Sequence, residues 1–73
     1  MTNFAQVYKS GTPRFQGYVR AAAIAAANAE VGNDGKKWET FHRYFRKAMA
    51  ERGDMTVGEM GALIDWARGK LGI

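Results

Sequence analysis

The sequence predicts an all-α fold: a small three-helix domain with a flexible N-terminal arm. Three observations lead there. WETFHRYFRKAMAER, residues 38–52, repeats apolar side chains at steps of three and four, the period of one helix face. AAAIAAANA, residues 21–29, is built from the residue with the highest helix propensity. Thr12 and Thr56 are hydroxyl residues placed where a helix N-cap belongs.

Residues 1–11 are expected to form the arm and residues 12–73 the domain. Phe4, Val7 and Tyr8 sit at helical spacing, but an isolated helix this short is marginal in water. Gly11 then separates the segment from the first long helix. The arm is expected to be frayed or extended when free. Its aromatics either pack back on the core or order on a partner, with Phe4 and Tyr8 as anchors.

Thr12-Pro13 starts the first long helix, with proline at the first helical position. It is expected over 13–31, with Gly32 as its stop. Phe15, Tyr18, Val19, Ala22, Ala26 and Ala29 share one broad apolar face, and Ile24 lies off it. Gly32-Asn33-Asp34-Gly35 is turn chemistry, short enough to favour an antiparallel hairpin. Asn33 or Asp34 is placed to cap the second helix, expected over 36–52. Trp38, Phe41, Phe45, Ala48 and Met49 form its apolar stripe, with the stem of Arg52. Lys36, Glu39, Arg43, Arg46 and Lys47 fall opposite, and Glu39 and Arg43 are spaced to pair. Three large aromatics in one register make this face the expected centre of packing.

Gly53 ends that helix. Thr56-Val57-Gly58-Glu59 fits a capping box, with Met55 and Met60 at the staple positions. The third helix is expected over 57–70, with Val57, Met60, Leu63, Ile64, Ala67 and Leu71 as its stripe. Gly61 is a candidate for close helix contact. Trp66 points away from the stripe, as an edge residue or an interface anchor. The shared core is expected to contain Val19, Trp38, Phe41, Phe45, Met49, Met60, Leu63 and Ile64. On that basis Phe45→Ala should cost about 3–5 kcal/mol.

Composition narrows the function. Seventy-three residues without cysteine make one domain with a marginal core and no disulfide or thiolate metal site. No apolar run approaches the about 20 residues of a membrane span. The start, MTNFAQVYKSG, lacks the features of a signal peptide, so a cytoplasmic location is expected. No enzyme is expected: His42 is the one histidine, and no Cys, Ser or Asp stands at an activating spacing. No metal site is expected, since Asp and Glu are scattered and cysteine is absent. No phosphate loop or dinucleotide fingerprint occurs, so no cofactor is expected. Residues 55–64 resemble the first helix of a helix-turn-helix, after which a recognition helix should follow, but Ile73 comes only nine residues after Ile64. Moving the motif back puts Glu59 at an apolar position, so base-specific reading by this motif is not expected.

Charge points to a partner. The chain carries +4, and residues 33–52 contribute +3 of it. Such a surface suits nucleic acid or an acidic protein, and also serves simply as a solvated face. Small, cysteine-free and basic, with aromatics in an arm, the chain resembles in overall character the small bacteriophage-encoded transcription regulators that bind host bacterial RNA polymerase. The resemblance implies a non-enzymatic inhibitor of initiation and antiterminator in the bacterial host cytoplasm. It implies binding to the β′ N-terminal region and the β flap, near the RNA exit channel, with contact to nascent RNA. Aromatic placement makes Phe4, Val7, Tyr8 and Trp66 the expected partner-binding residues. Charge placement makes Lys9, Arg14, Arg20, Lys36, Lys37, Arg43, Arg46 and Lys47 the expected contacts to nucleic acid or an acidic surface. A small basic nucleic-acid-binding module and a phage inhibitor of another host complex are the alternatives. A monomer is expected.

Overall fold

The computed structural model describes residues 3–33 and 35–73. Four helices lie among the described residues, in chain order α1 (Phe4–Ser10), α2 (Pro13–Gly32), α3 (Gly35–Glu51) and α4 (Val57–Leu71). No strand occurs among those residues, so the all-α expectation holds. The three long helices match the expected spans to within a residue at each end.

Their starts arise from local chemistry. Thr12 accepts the Phe15 N–H at 3.1 Å, and Pro13 opens α2. Thr56 accepts the Glu59 N–H at 3.1 Å, while the Thr56 N–H donates to Glu59 Oε1 at 2.9 Å. Two otherwise unpaired donors at the head of α4 are thereby satisfied. Met55 and Met60 flank this box and are buried. At the end of α2, the left-handed residue is Asn33 (φ 48°, ψ 45°) rather than Gly32. Asparagine tolerates that conformation better than most side chains, so Gly32 remains helical. Of the two residues expected to cap α3, Asn33 is the C-cap of α2 and Asp34 lies outside the described residues.

The N-terminal arm differs from expectation, because residues 4–10 form a fourth helix. Asn3 Oδ1 accepts the Gln6 N–H at 3.1 Å and caps its start. Phe4, Val7 and Tyr8 pack half-buried against the core. Tertiary contact supplies what seven residues cannot supply alone.

The centre of packing also differs. It lies on α2, which packs against each of the other helices and buries Phe15, Val19, Ala22, Ala23, Ala25, Ala26 and Ala29. Alanine adds little bulk beyond the backbone, so helices can close on α2 from more than one side. On α3 the single buried residue among those described is Ala48. Trp38, Phe41, Phe45 and Met49, expected in the core, are half-buried. Their rings form a contact chain along α3 instead, with centroids 5.6 Å apart for Trp38–Phe41 and 5.7 Å for Phe41–Phe45. Val19, Met60, Leu63 and Ile64 are buried as expected. Val57 and Leu71 are exposed by 67% and 43%; they are the first and last residues of α4, where the stripe runs out. A Cβ at Gly61 would meet nothing within 4 Å, so that glycine does not mark a close helix contact.

Surface ion pairs tie the helices together. Arg68 holds Glu30 in a two-pronged pair, at 3.0 Å from Nη1 to Oε1 and 2.8 Å from Nη2 to Oε2, linking α4 to α2. The hydrogen bonds and charge of Arg68 lower the Glu30 pKa from its ordinary value. Arg14 reaches Glu51 at 3.6 Å. Glu39 and Arg43 do not pair among the described ion pairs. Arg52 binds Asp54 through both carboxylate oxygens, at 3.1 and 3.2 Å, and lowers its pKa in the same way.

Candidate functional site

The site begins with how α1 is held. The last carbonyls of a helix lack partners in the helix itself. Here the side chain of Gln16, from α2, supplies them: Nε2 donates to the carbonyls of Tyr8 at 3.0 Å, Gly11 at 3.2 Å and Lys9 at 3.4 Å. The Arg52 guanidinium donates to the Val7 carbonyl at 3.4 Å, and it lies 5.5 Å from the Phe15 ring centroid. Gly11 passes so close to Phe15 that a Cβ there would lie 2.4 Å from its ring. These contacts fix the direction in which α1 presents Tyr8.

Tyr8 meets Trp66 of α4 with ring centroids 5.7 Å apart and planes tilted by 53°. Arg20 of α2 reaches the Tyr8 hydroxyl at 3.4 Å. Lys70, one turn after Trp66, places its ammonium 5.9 Å from the indole centroid. Together with Ala67 and Leu71 these side chains enclose a cleft of about 130 Å³. That is well below the about 300–1,000 Å³ of small-molecule sites; it has room for one side chain of a partner. Two aromatic faces and two cations line it, with no carboxylate among the described residues. A cleft of this kind accepts an apolar or aromatic anchor beside a negative charge.

The structure thus brings Tyr8, Trp66 and Arg20 together, three residues singled out from separate stretches of sequence. Phe4 and Val7 lie on the inner side of α1, packed against the core. Lys9 is exposed in the last turn of α1. Arg14 is engaged by Glu51. Lys36, Lys37, Arg43, Arg46 and Lys47 are exposed on α3 and take no part in the cleft. Lys47 lies 5.6 Å from the centroids of both Tyr18 and Tyr44, whose rings are 6.2 Å apart. Sequence reasoning missed Lys70, Leu71 and Gln16. Lys70 had a signal: it stands four residues after Trp66, on the same helix face. Gln16 had none, since its partners lie across a turn that only the fold brings close.

No helix among the described residues is long and apolar enough to cross a membrane. No protein-family model matches the chain, and no curated protein or solved structure matches it either.

Proposed function

We propose that this protein is a non-enzymatic regulator that binds bacterial RNA polymerase and alters transcription, inhibiting initiation and opposing termination near the RNA exit channel. The observation that carries the binding part is the cleft in which Tyr8 and Trp66 lie between Arg20 and Lys70. Its size suits a protein side chain rather than a substrate, and its charge suits an acidic docking segment. The resemblance to small phage regulators supplies the target, with the β′ N-terminal region and the β flap as the contact. The exposed Arg43 and Arg46 of α3 are then the cations offered to nascent RNA.

A pulldown from bacterial lysate with the tagged protein tests this, in moderate salt and with nuclease present. Polymerase subunits should be recovered. Arg20→Glu with Lys70→Glu reverses two exposed charges without entering the core, and should weaken capture about tenfold or more, about 1.4 kcal/mol. Recovery of no polymerase overturns the target. Equal capture by the double variant removes the cleft from the interface. Binding of free RNA or DNA that falls steeply with salt, with nothing retained after nuclease, favours a nucleic-acid-binding module instead.

A further inference from the structure

A second surface lies along the seam of α2 with α3. An open groove of about 310 Å³ runs there. Ala21, Ile24, Ala25 and Asn28 line it from α2, and Lys37, Thr40 and Tyr44 line it from α3. Ile24 is 44% exposed, an isoleucine in the middle of a helix with no part in the core cluster. The small alanines beside it leave room for close approach of another backbone. No carboxylate among the described residues lines the groove. Lys37 stands toward one end, and Lys47 sits over the Tyr44 ring toward the other. Neither lysine forms an ion pair among those described; both are exposed, and the Lys47 ammonium meets only the Tyr18 and Tyr44 ring faces in the contacts described.

We infer that this groove is a docking site for an acidic amphipathic helix of another protein, with an apolar side chain seated on Ile24 and Tyr44 and carboxylates near Lys37 and Lys47. The dimensions support a helix. The two lysines are ten positions apart on α3, which is roughly 15 Å at about 1.5 Å per residue, so a helix of about ten residues bridges them. Seating an amphipathic helix between two antiparallel helices is a general mode of peptide recognition. Charge selects the occupant. A second copy of this chain would bring +4 to a groove flanked by lysines. A floor of methyl groups with two cations is poor for nucleic acid, which demands a dense row of phosphate contacts. The groove and the Tyr8–Trp66 cleft share no described residue, so its occupant is independent of the polymerase contact proposed for that cleft.

The test is selection of amidated 12-residue peptides from a random display library against the intact protein, followed by amide chemical-shift mapping and fluorescence anisotropy. Enriched peptides should carry Asp or Glu on both sides of a Leu, Phe or Trp. They should shift the amides of Ile24, Asn28, Thr40 and Tyr44. Lys37→Glu with Lys47→Glu should weaken them about tenfold or more, and Ile24→Asp should abolish binding; all three positions are exposed, so the far-UV spectrum should stay unchanged. The inference is overturned by the absence of any enriched peptide, by peptides that lack carboxylates, or by shifts confined to the Tyr8–Trp66 cleft. It is equally overturned if a dT20 oligonucleotide shifts the same groove amides, or if mass rises with concentration and Ile24→Asp abolishes that rise.

Discussion

Gly11→Ala separates two physical effects of opposite sign. Gly11 has φ −76° and ψ 163°, a conformation alanine adopts freely. On backbone entropy alone the substitution should stabilise the protein by about 0.4–1 kcal/mol, because the unfolded chain loses freedom. Space reverses that. The new Cβ would lie 2.4 Å from Phe15 Cδ2 and 3.1 Å from Cε2 and Cγ. Phe15 is 1% exposed, so its ring has no solvent to move into and the core around it must shift. Overpacking a core costs about 1–3 kcal/mol. The clash wins, leaving a net loss of about 0.5–2 kcal/mol. For a domain of this size that lowers Tm by about 4–8 °C per kcal/mol. Urea unfolding followed by far-UV circular dichroism measures it, with Gly17→Ala as comparator. Gly17 lies inside α2, and a Cβ there meets nothing within 4 Å. That variant should gain about 0.5–1 kcal/mol. If Gly11→Ala is as stable as the parent, the close approach to Phe15 does not hold.

Phe15→Ala should cost about 3–5 kcal/mol and leave the domain largely unfolded, whereas half-buried Phe45→Ala should cost about 1–3 kcal/mol; reversed urea midpoints would put the core back on α3. Gln16→Ala strips the donor from three carbonyls at the end of α1 and should cost about 0.5–1.5 kcal/mol. Amide exchange in residues 4–10 should quicken while α2 and α4 keep their protection, and uniform quickening would refute a local role. Acid should weaken the fold through Glu30 and Asp54, whose pKa values folding lowers. Their contribution is complete above the unfolded values, about 4.3 for Glu and 3.9 for Asp, and is lost as pH falls through the lower folded ones. The urea midpoint should therefore fall as pH drops below about 4.5, less steeply in Glu30→Gln; an unchanged slope in that variant refutes the role of the Arg68 pair.

What was legible in the sequence was what is local. Thr12-Pro13 and the Thr56–Glu59 box act within four residues, and each does in the fold what its spacing promises. The extents of the long helices come from them and from the left-handed Asn33 after α2. The helical state of residues 4–10 was not legible, because it depends on Gln16 and on the core beneath Phe4 and Val7. The centre of the fold was misplaced for a different reason. Large rings at regular spacing make α3 conspicuous, but a ring on an outer helix keeps an edge in water. Alanines make α2 inconspicuous, although their lack of bulk is what lets other helices surround it. For the cleft, Tyr8, Trp66 and Arg20 could be picked out one by one, but no local pattern joins residues from three helices.

The run of small side chains along α2 also bears on how this sequence can drift over generations. A core filled by large residues usually yields by losing volume, and neighbours relax into the gap. Around Ala22, Ala23 and Ala29, each fully enclosed, change can go only upward in size, since glycine is the one smaller choice and it weakens a helix. Half-buried Trp38 and Phe41 have solvent on one side and can exchange for other bulky residues. Tolerance in this domain should thus follow enclosure rather than side-chain size, with the buried alanines of α2 as hard to replace as Phe15 and harder than the half-buried rings of α3.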